Sequence, residues 1–118
     1  MPLLFAYGTL QQGDVQLSTF GRWLNGQRDE ILGFERSLVA IEDPKVAATL
    51  GKTHHDNVQS TRNNDGRVPG MVFEITDAEL VSVDEYETPF HYRRVVATLA
   101  SGAQAWVYVH AHTARMER

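Results

Sequence analysis

Apolar positions along the chain fall into short runs, each closed by glycine, proline or a polar cluster. Leu3 to Tyr7 is such a run, closed by Gly8, and reads as a buried first strand. Gly8 to Gly13 follows as a polar, Gly-bounded loop. Asp14 is placed to cap a helix whose Leu17, Phe20, Trp23 and Leu24 share one face, with Gly26 ending it. Between 27 and 42, Ile31-Leu32 and Ser37 to Ile41 mark one bent strand or two strands, with Gly33 as the break. Pro44 to Leu50 fits either a short helix or extended chain. Gly51 to Asp65 carries almost nothing apolar and reads as an exposed loop, with Asp65-Gly66 a turn.

The second half is more regular. Met71 to Ile75 reads as a strand. Thr76-Asp77-Ala78-Glu79 has the form of a capping box, with Thr76 at the N-cap and Glu79 at the third helical position. The helix carries Leu80, Val83 and Tyr86 and stops by Thr88-Pro89, because Pro89 disfavours a helical Thr88. Tyr92 to Ala100 and Ala103 to His110 read as two strands around a two-residue Ser101-Gly102 loop. Mostly strand with two short helices, the pattern is α+β. Trp23 and Trp106 read as core or half-core residues, Phe73 and Tyr108 as inward strand residues. Tyr7 either lines a pocket or closes the core beside Gly8.

Composition narrows the classes. The 118 residues are 42% hydrophobic and 22% charged, as expected of one ordinary globular domain over 1–118. With no cysteine, a disulfide framework, a thiolate nucleophile and a Cys-ligated metal are excluded. A formal net charge of −4 argues against nucleic acid as the main partner. No stretch is long and apolar enough for a membrane span. The apolar start lacks a basic flank, so it reads as strand and not as a secretion signal, and the cytoplasm is the expected location. A small-molecule partner is expected, with the chain a monomer or small homo-oligomer.

Several features could carry chemistry. Gly51-Lys52-Thr53 has the look of a phosphate-loop ending, but Val46 stands where that motif needs a glycine. His54 and His55 are adjacent and chelate poorly. His110 and His112 share a face of a continuing strand and with His91 could form a metal site; a solvated polar tail is the simpler reading, and no metal or cofactor is expected. Gly8 after a buried strand allows a sharp turn whose N–H groups point into a cavity. In Asp84-Glu85-Tyr86-Glu87, Glu85 fits a solvated face. Glu87 sits at the helix C-terminus, beside Phe90 and Tyr92, where the macrodipole and apolar neighbours both favour a raised pKa and a better proton acceptor.

Taken in order, these segments resemble the gamma-glutamylcyclotransferase-like superfamily, which includes AIG2-like proteins. Leu4-Phe5-Ala6-Tyr7-Gly8-Thr9-Leu10 resembles its first motif, an aromatic followed by YG and a hydroxyl residue. Val68-Pro69-Gly70-Met71-Val72-Phe73 resembles its V-x-G strand, Leu80 to Glu87 its helix ending in glutamate, Tyr92-Arg93-Arg94-Val95 its Y-x-R strand, and Ala105 to Val109 its closing strand. The likeness covers about 3–10 and 68–109; the stretch 27–65 agrees only in general character. Thr88-Pro89 follows the glutamate where the family often has glycine, and Leu10 is the residue of its small bacterial and plant-like members.

The resemblance implies a compact mixed β-barrel with short flanking helices. It also implies a cofactor-free cyclisation of a small γ-glutamyl amine or amino acid to 5-oxoproline plus free amine. Glu87 would be the general acid/base, and Tyr7, Gly8, Thr9 and Leu10 the backbone cradle for the glutamyl end and the oxyanion. Tyr92 would line the pocket and orient the substrate carboxylate. Arg93 or Arg94 would supply positive charge; adjacent strand residues face opposite ways, so one of the two points inward. The alternative is a non-catalytic domain that binds a small ligand in the same pocket.

Overall fold

The computed structural model describes residues 1–41, 43–51, 53–61 and 66–110. Strand β1 (Leu3–Ala6) lies at the centre of a five-stranded mixed sheet. Its neighbours are β5 (Arg67–Glu74), antiparallel, and β7 (Gln104–His110), parallel. Outside these lie β2 (Gly26–Leu32) and β6 (Tyr92–Thr98), giving the order β2-β5-β1-β7-β6. Strands β3 (Phe34–Ala40) and β4 (His54–Ser60) form a separate antiparallel pair. Among the described residues three helices, α1 (Gly13–Phe20), α2 (Pro44–Leu50) and α3 (Asp77–Glu87), complete a mixed α+β fold.

The expected barrel is not closed by a continuous ladder. The edge strands of the large sheet meet at one bridge, Ile31 to Leu99, reinforced by the Ala100 N–H donating to the Glu30 carbonyl at 2.8 Å. Both faces of β1 are covered, which explains its unbroken apolar run. Phe5 and Tyr7 join Ile31, Val58, Val68 and Val107 in one core. Leu4 and Ala6 join Leu80, Val83 and Tyr108 in a second core on the helix side.

Local chemistry accounts for most boundaries. Gly33 (φ +79°) breaks the 27–42 stretch into β2 and β3, a conformation that costs a side chain dearly. Asp43 caps α2 by accepting from the Lys45 N–H at 2.9 Å, with Pro44 at the first helical position. The ambiguous segment is therefore helical. The Thr76–Glu79 capping box is complete, with bonds of 3.0 and 2.9 Å, and Arg22 holds the Glu79 carboxylate through two bonds of 2.7 and 2.8 Å. That guanidinium, then the N-cap hydrogen bonds, hold the Glu79 carboxyl down at about 2 despite some desolvation.

Several expectations are corrected. Helix α1 starts one residue earlier than Asp14, with Gln12 at its N-cap, and ends at Gly21 (φ +72°) instead of Gly26, which opens β2. Trp23 lies beyond the helix and is 68% exposed, Leu17 is 43% exposed, and the buried side chain of α1 is Gln16. The supposed loop 51–65 contains β4, whose Asn57 and Val58 are buried; Lys52 and Asp65 lie outside the described residues. The β6–β7 turn is longer than two residues: the Gly102 N–H donates to the Leu99 carbonyl, with Gly102 at φ +92°. No helix among the described residues is long and apolar enough to cross a membrane.

Candidate active site

Between the end of β1, the end of α3 and strand β4 lies a cavity of about 100 Å³. Its first wall is the stretch from Phe5 to Gly8, with Leu10. After Gly8 the chain makes a 3-10 turn at Thr9–Gln11, closed by the Gln11 N–H on the Gly8 carbonyl at 3.1 Å. The first N–H groups of such a turn have no acceptor within it. The chain thus turns sharply after Gly8 as expected, and does so without a left-handed residue there. A Cβ there would meet the Asp56 side chain at 3.9 Å, an ordinary contact, so glycine keeps open the space facing β4.

Buried Gln16 fixes this loop from below. Its side-chain amide donates to the Leu10 carbonyl at 2.9 Å, and its side-chain oxygen accepts from the Leu24 N–H at 2.9 Å. The sequence reading missed this residue because a glutamine on a helix ordinarily reads as solvent-facing.

Glu87, the last residue of α3, lines the opposite wall with Tyr86 and Phe90. Burial raises its carboxyl from 4.5 to about 7. Among the described residues no cation pairs with it. The 3-10 turn Thr88–Phe90 follows α3 directly, built on Pro89, and His91 (φ +64°) turns the chain into β6. The aromatic cluster anticipated after Glu87 is thus folded back over it.

Three tyrosines complete the cavity, and each has its hydroxyl proton committed. Tyr7 donates to the Tyr108 carbonyl at 2.6 Å, Tyr92 to the Asp56 carbonyl at 2.5 Å, and Tyr108 to Asp84 Oδ1 at 2.6 Å. Burial raises all three phenols, and the negative charge of Glu87 adds to the effect at each. Tyr7 therefore both lines the cavity and packs in the core. What Tyr92 can still offer a ligand is a lone pair, which suits an ammonium and not the carboxylate expected of it.

The arginines lie elsewhere. Arg93 is exposed and does not line the cavity. Arg94 shares the Tyr92 face of β6 but is held by Asp84 at 3.3 Å, with its guanidinium 4.6 Å from the centre of the Trp106 ring. Strand β4 instead supplies two residues missed in sequence, His55 and Asp56. The His55 ring stands edge-on to Phe90 (5.0 Å) and Tyr92 (6.1 Å). With the whole 51–65 stretch read as loop, Asp56 carried no signal, and His55 was weighed only as a poor chelator beside His54. Of the histidines considered for a metal, His91 and His110 have ring centres 6.3 Å apart, and His112 lies outside the described residues.

A glutamate raised by burial therefore shares a small, mostly aromatic cavity with the turn that follows Gly8. The sequence matches the family described as gamma-glutamyl cyclotransferase, AIG2-like, over residues 4–118, and the chain belongs to that family. The fold agrees. A solution structure from Arabidopsis thaliana superposes with a TM-score of 0.70 at 19% identity, over 95% of this chain and 63% of that one. A Pyrococcus horikoshii crystal structure gives 0.61 at 17%, over 94% and 79%. A structure described as gamma-glutamyl cyclotransferase gives 0.65 at 16%, over 92% and 65%. This chain thus spans less than two thirds of the length of the Arabidopsis protein and of that cyclotransferase. No curated protein sequence matches it.

Proposed function

We propose that this protein is a cyclotransferase that converts a small γ-glutamyl amine or γ-glutamyl amino acid to 5-oxoproline and the free amine. The observation that carries the reading is Glu87, a carboxyl raised to about 7 at the end of a helix, in the same cavity as Gly8 and Leu10. Family membership supports the reaction class.

The substrate's own α-amine is the nucleophile. It arrives as an ammonium, which suits a cavity bearing Glu87, Asp56 and tyrosine oxygens whose protons are engaged elsewhere. Glu87 takes one proton from it. The freed nitrogen attacks the γ-carbonyl carbon, a C–N bond forms, and the carbonyl oxygen becomes an oxyanion. The backbone N–H groups at the Gly8–Leu10 turn receive that oxygen; a preset donor contributes roughly 3 kcal/mol to such a step. The amide C–N bond then breaks as Glu87 delivers its proton to the departing nitrogen. The freed carboxylate next takes the second proton from the ring nitrogen, leaving the neutral lactam, and passes it on to the amine, which departs as an ammonium. No water is consumed. Holding amine and carbonyl of one molecule in a tight cavity supplies the proximity.

The test is release of 5-oxoproline, measured by mass spectrometry, from a panel of γ-glutamyl compounds. Wild-type protein should turn over at least one of them, and Glu87→Gln should lose at least about a hundredfold in kcat. Because the free carboxyl is raised to about 7, kcat/KM should rise with pH along an acid limb near that value. A wild type inactive across the panel rejects the reading, and full activity in Glu87→Gln rejects the base. Ligand-induced thermal stabilisation without turnover would point to a binding domain instead.

A further inference from the structure

The catalytic cavity is too small for a whole substrate. Its volume of about 100 Å³ lies well below the roughly 300 Å³ at which ligand pockets usually begin. A second chamber of about 280 Å³ adjoins it, and His55 and Phe90 line both. These two rings, edge-on at 5.0 Å, stand between the two spaces. The far chamber is built from the β3–β4 pair, α2 and the turn after α3. Half of its lining is aliphatic: Val39, Ala40, Ile41 and Val46, with Pro89.

We infer that this second chamber receives the leaving group, and that the preferred substrates are γ-glutamyl conjugates whose amine carries a branched or extended apolar group. The inference rests on the cyclotransferase reading and deepens it. The glutamyl half fills the cavity bearing Glu87, and the scissile amide lies beside the His55–Phe90 pair. The apolar part of the amine is buried against Val39, Ile41 and Val46. A leaving group without an apolar part, such as glycine, leaves that surface wet and gains nothing from it. The polar part of the lining is Asp43 with His91, His110 and the shared His55, and no Lys or Arg among the described residues lines the chamber, so no fixed positive charge awaits a carboxylate on the leaving amine.

The experiment compares kcat/KM for γ-glutamyl-leucine, γ-glutamyl-isoamylamide, γ-glutamyl-glycine and γ-glutamyl-glutamate. The two apolar conjugates should exceed the glycine and glutamate conjugates by at least about tenfold. The leucine and isoamylamide arms show whether a carboxylate matters beside the shared isobutyl group; the two should lie close together. Val46→Trp, which fills the chamber, should bring the leucine-to-glycine ratio towards one. Ala40→Trp fills it from the strand side should Val46→Trp fail to fold. Equal kcat/KM across the four substrates, or an unchanged ratio in a folded filled variant, overturns the inference.

The same compounds are also titrated into Glu87→Gln and followed by amide chemical shifts. The apolar conjugates should perturb Val39, Ile41 and Val46, and the glycine conjugate should not. Those shifts without turnover by wild type would reject the enzyme and keep the chamber. Turnover without them would keep the enzyme and reject the chamber.

Discussion

Burial makes the ionisation of Glu87 costly, and that cost falls on the stability of the fold. Its carboxyl titrates at about 7 when folded and near 4.5 when unfolded. Between these values the native state holds more protons than the unfolded chain, so stability falls as pH rises. The full loss is about 3 kcal/mol. Glu87→Gln removes this dependence. Urea unfolding of the two proteins should show their stability difference shifting by about 3 kcal/mol in favour of the variant between pH 4 and pH 8; parallel pH profiles would refute the burial of this group. Gly8 carries a second residue-scale expectation. A methyl there meets Asp56 at an ordinary 3.9 Å and no left-handed backbone forbids it. Gly8→Ala should therefore melt within a few degrees of wild type while activity falls, because the methyl narrows the cavity on the side of Asp56. Gly70 is the contrasting case: a Cβ there would lie 2.4 Å from the Ala6 carbonyl oxygen, so that glycine serves strand packing and not the site.

At the scale of elements, α3 and β1 were legible because their rules are local. A Thr-x-x-Glu start, an apolar face and a following proline define α3, and its capping box forms as spelled out. An apolar run ended by Tyr-Gly defines β1. Helix α1 was legible only in part, since its buried side is held by an amide and not by an apolar stripe. Gln16 ties the Leu10 carbonyl to the Leu24 N–H, and so ties the cradle loop to the helix. Gln16→Leu deprives both backbone groups of this partner and should cost about 2 kcal/mol in chemical unfolding. Under the proposed mechanism it should also lower kcat more than it changes KM, since the loop it releases carries the N–H groups assigned to the oxyanion. Strand β4 was not legible at all. His54 to Ser60 shows no alternation of apolar and polar positions, and its strand character comes from seven residues of pairing with β3.

In the whole molecule, the small sheet is joined to the large one through a buried polar contact. Asn57 donates to Ser37 Oγ at 3.1 Å within the β3–β4 pair and accepts from the His110 N–H of β7 at 3.0 Å. Asn57→Ala should cost roughly 2 kcal/mol in chemical unfolding and lower activity with it, because β4 carries His55 and Asp56 into the site. Wild-type activity in the variant would show that β4 is seated by other contacts. The sequence by itself determined the α+β class, the central buried strand, the capped helix and the position of Glu87 at its end. It also determined that the chemistry has no thiol to draw on. These follow from periodicity, capping and composition, which act over a few residues. Only the tertiary structure decided what faces Glu87. It brought in Asp56 and His55 from a stretch that reads as loop, turned the Tyr92 hydroxyl towards a carbonyl, and left Arg93 outside the cavity. Those choices depend on strand pairing between distant segments and on which buried donors find acceptors, and neither is written in any local window of the chain.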